Sequence, residues 1–328
     1  MVGRLIAMND DGILSLIGNT PILRLRNIFK YADLSLYAKL EVLNPGGSIK
    51  DRAAVSIIKH AIESGEINSD SIVIESSSGN MGIGLAQVCA YYGIRFICVV
   101  DPKTTHLNTK ILKAYGTEVD LVKEPDPTTG EFLQARINRV KYLLKTIDNS
   151  FWPNQYANLY NPIAHHRTMH EIITAVGRKI DYLFCAVSTC GTLRGCAEYL
   201  EEHGLKTKII AVDAVGSALF GSQRAKRLIP GHGAAVRPQL FRPNLADHCV
   251  HITDLECVIG CRRLVKEEAI LVGGSSGAVF MAVERTRHMF PEGATCVMIF
   301  PDRGERYLDT IYSDEWVAEH FGDIRAHL

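Results

Sequence analysis

Asn44-Pro45-Gly46-Gly47-Ser48-Ile49-Lys50-Asp51-Arg52 joins a turn to a helix start and places one lysine at the junction. Proline fixes φ and glycine tolerates φ > 0, so Asn-Pro-Gly-Gly is turn chemistry. Over residues 49–64 apolar side chains recur at Val55, Ile57, Ile58, Ala61 and Ile62, and Gly65 follows, which predicts an amphipathic helix with a glycine stop. Lys50 then lies in the first helical turn, where the macrodipole disfavours a cation. An amine so placed is made nucleophilic, as Schiff-base lysines require. A solvated lysine that follows a turn is the alternative this stretch leaves open.

Outward from this junction, strands and helices alternate. Residues 71–75 (SIVIE) form a short β-rich run, 80–92 have helical spacing up to Gly93, and 95–100 (RFICVV) read as a buried strand. Residues 106–115 are helical to Gly116, 118–122 are a strand, and 131–147 a longer helix. The rhythm returns with strand 182–187, helix 192–203 and strand 208–213, then helices over 256–268 and 276–290 and strand 295–300. This alternation predicts parallel sheets covered by helices, with a site at the carboxyl ends of the strands. Residues 214–242 show little periodicity, and loops of that length are often functional. Two lobes are expected: a small one over 48–150 and a large one combining 1–47 with 151–328.

Composition narrows the class. The 328 residues are 47% hydrophobic and 22% charged, the balance of a soluble globular protein. Lys+Arg and Asp+Glu both number 36, so no charge footprint points to nucleic acid or a membrane surface, and neither is expected as a partner. No run approaches the ~18 apolar residues of a membrane span. Acidic residues cut short the apolar patch in residues 1–10, which does not read as a signal peptide. Nine cysteines without framework spacing point to a reducing, cytoplasmic setting. His248, Cys249, His251, Cys257 and Cys261 are metal-ligand types. No CxxC pair is present, however, and the thiols suit a strand and a helix face as small hydrophobes, so no metal is expected.

Three polar, glycine-bearing loops follow predicted strands. Ser76-Ser77-Ser78-Gly79-Asn80 opens a helix with backbone N–H groups that suit a carboxylate, although serine and asparagine are also ordinary caps. Ser188-Thr189-Cys190-Gly191-Thr192 brings hydroxyls and amides to another helix start, which can hold a dianionic phosphate without a basic residue. It is neither a Walker A loop nor a GxGxxG fingerprint, and a generic strand-to-helix loop is its other reading. Gly273-Gly274-Ser275-Ser276-Gly277 offers a serine hydroxyl to a buried heteroatom. With Lys50, these loops supply an amine, a carboxylate cradle, a phosphate cradle and a neutral hydrogen-bond partner.

That set, in that order, resembles the cysteine synthase/cystathionine β-synthase family of pyridoxal-phosphate enzymes. The resemblance runs from Ile17-Gly18-Asn19-Thr20-Pro21 through Lys39-Leu40-Glu41, residues 44–52, Ser78-Gly79-Asn80 and Asn154-Gln155-Tyr156. It continues with residues 188–192, Gly231-His232-Gly233 and residues 274–277 to Asp302-Arg303-Gly304-Glu305-Arg306-Tyr307-Leu308. It implies a two-lobed α/β chain of fold type II, like the tryptophan synthase β subunit, with pyridoxal 5′-phosphate as cofactor and a homodimeric state. It implies that Lys50 forms the internal aldimine and moves the α-proton, and that Asn80 bonds the cofactor's 3′-oxygen. Ser188, Thr189, Cys190, Gly191 and Thr192 would hold the cofactor phosphate, and Ser275 would face the pyridine nitrogen. Ser77, Ser78, Gly79 and Gln155 would bind the substrate carboxylate, with Met81, Tyr156 and Gly231 also at the substrate. A neutral serine beside the ring makes it a weaker electron sink than a carboxylate would, which disfavours transamination and suits β-replacement.

The departures from the family bear on the substrate. Met81 stands where the family usually has threonine, Tyr156 where it has phenylalanine, and Ser188 and Cys190 where it has glycines. With the surrounding motifs they resemble a narrower group that makes the 2,3-diaminopropionate precursor for siderophores and peptide antibiotics. That implies O-phospho-L-serine and L-glutamate as substrates and N-(2-amino-2-carboxyethyl)-L-glutamate plus phosphate as products. Synthesis of cysteine or cystathionine from sulfide or homocysteine is the alternative. Arg136, Arg167, Arg224 and Arg237 are candidates for glutamate's extra carboxylates, and each also reads as a solvated arginine. Tyr156, adjoining Gln155, is the better candidate for contact with the second substrate.

Overall fold

The computed structural model describes residues 12–28, 34–221, 223 and 225–328. The segment read above against a signal peptide and Arg224 lie outside the described residues. In chain order the strands and helices begin with β1 (Ile22–Arg24), β2 (Leu34–Leu40), α1 (Lys50–Glu63), β3 (Ile72–Ser76), α2 (Asn80–Tyr92) and β4 (Arg95–Val100). Next come α3 (His106–Ala114), β5 (Glu118–Leu121), α4 (Phe132–Thr146), β6 (Ser150–Phe151), α5 (Tyr160–Val176), β7 (Tyr182–Ala186) and α6 (Gly191–Glu202). The chain closes with β8 (Lys208–Ala214), β9 (His248–Ile252), α7 (Asp254–Glu268), α8 (Gly274–Thr286), β10 (Ala294–Phe300) and α9 (Asp314–Phe321). Among the described residues no helix is long and apolar enough to cross a membrane.

Chain contacts divide the described residues into two units, 12–17 with 50–164, and 18–49 with 165–328. The first unit carries a four-stranded sheet in the order β5-β4-β3-β6, parallel throughout. Every residue of β3 is buried, as a strand covered on both faces must be. On α1, Ala54, Ile57, Ile58 and Ala61 are buried at helical spacing and join the core that includes Val73, Leu85 and Phe96. α1 meets α2 at Gly84, where an added Cβ would stand 3.1 Å from Ala54 Cβ and 3.2 Å from Lys50 O. The helix ends at Glu63, and Gly65 turns the chain at φ +78°, as expected.

The second unit carries a six-stranded sheet in the order β1-β2-β10-β7-β8-β9. β1 runs antiparallel to β2, and the other pairs are parallel. α7 and α8 cross closely at Gly260 and Gly277, and a Cβ on Gly277 would come within 2.2 Å of Cys257 O. Helices in such a sheet run against the strands, so the starts of α6 and α8 face its carboxyl edge. The Gly273 N–H donates to Asp302 O at 3.0 Å, which ties the start of α8 to the end of β10.

The alternating parallel α/β pattern read from the sequence is the pattern observed, with element ends differing by a residue or two. Five elements went unread, β1 and β6 being strands of only three and two residues. β2 carries Ser35, Tyr37 and Lys39 among its apolar residues, and its lysine is buried, contrary to what residue type suggests. α5 places Pro162 in its first turn and has histidines along its length, which blur its period. α9 is only eight residues long. The helix expected over 276–290 starts earlier, at Gly274, and gives way after Thr286 to a 3-10 turn, Arg287–Met289.

Overpacking a close helix crossing costs about 1–3 kcal/mol. Gly277→Ala is therefore expected to lower the thermal midpoint by several degrees, as differential scanning calorimetry would show, whereas Gly204→Ala, which meets no neighbour and strains only a backbone at φ +62°, lowers it less.

Candidate active site

Lys50 is the first residue of α1 and is half-buried. The turn before it is held from two sides. On one, the buried Glu41 carboxylate accepts from Thr20 Oγ1 and from Asn44 Nδ2, both at 2.7 Å, and Asn44 Oδ1 accepts from Gly18 N at 2.8 Å. Lys39 Nζ donates to Thr20 O and to Glu171 Oε2, each at 2.6 Å. On the other side, Ile49 N donates to Pro301 O at 2.8 Å, and Ser48 pairs with Asp302 in an isolated bridge. Arg303 Nε donates to Val42 O at 2.8 Å, and Arg306 donates to Gly46 O. Gly47 sits at φ +85°, where a Cβ would press on Arg306 and Arg303 at 3.0–3.1 Å. Three separated sequence motifs thus converge on the turn that ends at Lys50.

In the first unit, the loop after β3 leads into α2 with Asn80 as its first residue. Ser77 Oγ accepts from Gly82 N at 2.8 Å and lies 3.4 Å from Gly79 N, so this hydroxyl braces the start of the helix. Ser78 and Gly79 are half-buried, and Ser78 O accepts from Asn108 Nδ2 at 3.0 Å. Met81 is 2% exposed and packs into the apolar core. Gln155 has both polar groups of its peptide committed: its N–H donates to Glu75 Oε2 at 3.2 Å, and its carbonyl accepts from Asn161 Nδ2 at 2.8 Å. Tyr156, next along, is half-buried.

Asn108 and Glu75 were not singled out from the sequence. An asparagine in a short amphipathic helix and a glutamate ending an apolar strand carry no local signal. Glu75 is 1% exposed, and its Oε1 also accepts from Ser76 N at 2.8 Å and from Trp152 Nε1 at 3.0 Å. Burial raises its pKa to about 7, against the opposing pull of those N–H donors and of Arg136.

In the second unit, Val187 leads into the loop 188–192 and α6. Thr189, Cys190, Gly191 and Thr192 are buried and Ser188 is half-buried. Cys190 adopts φ +65°, a conformation that favours glycine. Thr192 Oγ1 lies 3.3 Å from His165 Nε2, which fixes one hydroxyl of the loop. Gly233 N donates to Val187 O at 2.7 Å, so the segment Gly231-His232-Gly233 runs beside this loop, with Gly231 itself exposed. Ser275, in the first turn of α8, is 4% exposed. Its neighbour Ser276 buries an Oγ that has no hydrogen-bond partner among the described residues. A helix start lined with small residues fits a phosphate, and a turn with two buried hydroxyls fits an uncharged ring nitrogen.

Comparison with known proteins identifies the family. The profile of the family described as pyridoxal-phosphate dependent enzyme matches residues 13–302. The chain is a pyridoxal-phosphate dependent enzyme. It is 33% identical, with a TM-score of 0.86, to an O-acetylserine dependent cystathionine β-synthase from Helicobacter pylori, over 94% of this chain and 100% of that one. It is 34% identical, with a TM-score of 0.85, to a cysteine synthase from Entamoeba histolytica, over 92% of this chain and 90% of that one. It is also similar to an O-ureido-L-serine synthase, at 29% identity and a TM-score of 0.84, over 94% of this chain and 98% of that one. The fold is that of the fold-type II enzymes, and the chemistry is β-replacement of the cysteine synthase/cystathionine β-synthase type.

The candidate arginines among the described residues are engaged in structure. Arg136 is buried with its Nε 3.1 Å from Asp101 Oδ2. Arg167 pairs with Glu171 one turn along α5, and Arg237 donates to Leu219 O and lies over the Phe241 ring. The thiols of Cys257 and Cys261 are buried on α7, and Cys257 Sγ lies 3.8 Å from His232 Nδ1. Burial lowers the pKa of His232 to about 4, so this imidazole is neutral at physiological pH.

Glu75 has a signed consequence for stability. Its folded pKa, about 7, lies above its ordinary value of 4.5, so its contribution is fully present below about pH 4.5 and is lost as pH rises through 7. Glu75→Gln is expected to flatten the pH dependence of the urea midpoint between about pH 4.5 and 7.

Proposed function

We propose that this enzyme replaces the phosphate of O-phospho-L-serine with the amino group of L-glutamate, giving N-(2-amino-2-carboxyethyl)-L-glutamate and phosphate. The carrying observation is the half-buried Tyr156 phenol beside a Gln155 whose peptide is fixed at both ends. A phenol there adds a hydroxyl that an amino-acid nucleophile can use and that sulfide does not need. The resemblance to 2,3-diaminopropionate precursor synthases of siderophore and antibiotic pathways supports the same reading. Tyr156, which adjoins Gln155, is the stronger specificity candidate, and Met81 is 2% exposed.

Bound pyridoxal phosphate supplies an electrophilic carbonyl for the substrate amine and an electron sink for the Cα bond. Lys50 is the group that holds the carbonyl and moves the proton at substrate Cα, suited to this by its half-buried place at the start of α1. Asn80 orients the 3′-oxygen. Ser188, Thr189, Cys190, Gly191 and Thr192 take the cofactor phosphate with hydroxyls and first-turn amides. Ser275 gives the ring nitrogen an uncharged partner, which weakens the electron sink and keeps the chemistry to β-elimination and addition. Ser78, Gly79 and Gln155 bind the α-carboxylate, with Ser77 bracing their loop through Gly82 and Gly231 at the substrate's edge. The enzyme works as a homodimer in the cytoplasm.

Two measurements test this reading. With O-phospho-L-serine and either L-glutamate or sulfide, products identified by mass are expected to show the glutamate adduct forming at least about tenfold faster than cysteine. Faster cysteine formation would establish the sulfur-using alternative that the cysteine synthase relative suggests. Lys50→Ala is expected to abolish the cofactor absorbance near the visible edge and to lower turnover by more than about 100-fold, the low end of acid–base contributions.

A further inference from the structure

We propose that Glu75 is a positioning residue: its carboxylate clamps the end of β3 to the segment 152–155 and thereby holds Gln155 in place for the α-carboxylate of the amino-acid substrate. This rests on the reading of Gln155 as a substrate ligand. Glu75 ends a strand whose residues are all buried, and its two oxygens face three N–H donors and no acceptor partner. Oε1 takes Ser76 N and Trp152 Nε1, and Oε2 takes Gln155 N at 3.2 Å. Asn161 Nδ2 fixes the other end of the Gln155 peptide at 2.8 Å. Asn154, just before, is held at φ +45°, so the approach to Gln155 is a turn that slack would relax. One buried group therefore joins the end of β3, which runs on into Ser77–Gly79, to the segment that carries Gln155 and Tyr156.

The clamp depends on the ionised form. A carboxylate accepts at both oxygens, whereas a carboxylic acid must donate from one, and every polar group facing Glu75 is itself a donor. Protonation thus sets an O–H against an N–H and releases a bond, the longest being that to Gln155. The charged and titratable groups around Glu75 are Arg136 from α4 and Cys98 from β4, with Asp101 paired to Arg136. Burial pushes the Cys98 thiol up to about 12, so it stays neutral. Glu75, with a pKa of about 7, is the member of this group that changes charge near neutrality. Substrate affinity then weakens as pH falls through 7.

Two readouts on the holoenzyme test the proposal. The first uses the indole that Glu75 accepts from. The chain has two tryptophans, and Trp316→Phe leaves Trp152 as the only one. Its emission is expected to titrate with a midpoint near pH 7 and to lose that titration on adding Glu75→Gln. Emission flat from pH 5.5 to 8.5 in Trp316→Phe alone would overturn the proposal without any variant of Glu75. The second is the dissociation constant of L-alanine, followed by the cofactor absorbance, in wild type and Glu75→Gln. The ratio of the two constants cancels the titration of the ligand. It is expected to be about tenfold or more at pH 8.5 and to collapse to within about twofold at pH 5.5, where the neutral acid resembles the amide, while maximal turnover changes far less than the Michaelis constant. A ratio independent of pH would reduce Glu75 to a structural role and overturn the proposal. L-Alanine shares only its α-amino acid core with O-phospho-L-serine, so failure of the proposed substrate pair would leave both readouts standing.

Discussion

A buried carboxylate sets the geometry of the second unit's turn. Glu41 has no exposure and draws Thr20 and Asn44 to its two oxygens, and Asn44 in turn draws the Gly18 amide. A buried charge without such partners would be costly, so the donors cannot drift. Because Asn44 opens the turn and Ile49 is pinned to Pro301, the four residues between them are fixed at both ends. The lysine that follows directly therefore begins its helix at a set point. Gly46 and Gly47 complete the arrangement, since Arg303 and Arg306 close over them where a side chain would collide.

This explains why motifs so far apart in sequence belong together. Residues 17–21, 39–41 and 302–308 read as separate short signatures. In the fold they are the two walls around one turn. Asp302 joins those walls to the start of α8, since its carbonyl accepts from Gly273 N and its carboxylate accepts from Tyr307 Oη. The turn before Lys50 and the turn bearing Ser275 are thus both referenced to the carboxyl end of β10.

The first unit repeats the principle with Glu75. Here the buried acid gathers donors from the end of β3 and from the segment before α5, and burial raises its pKa to about 7. Asn108 adds a second brace through Ser78 O. The loops that carry expected substrate ligands are therefore rigid by side-chain bonds from below, an arrangement that suits recognition by backbone amides.

The sequence by itself determined the α/β class, most element positions, the cofactor and the family. Apolar runs of period 2 and 3.6 and glycine stops are local properties, and the loops at Lys50, Asn80, Ser188 and Ser275 keep their residue types in a fixed order. What only the tertiary structure decided is which polar residues are buried and what they hold. Lys39, Glu41 and Glu75 look like ordinary surface charges in a linear string, because burial depends on neighbours tens to hundreds of residues away. Met81 is read from the sequence as a departure beside the Ser-Gly-Asn loop, and its 2% exposure and apolar neighbours come from packing. Arg136 and Arg167 carry no sign in the sequence of the carboxylates beside them, Asp101 and Glu171, because those pairings are made by the fold. Charge and hydroxyl chemistry are written in single residues, but their partners are set by the fold.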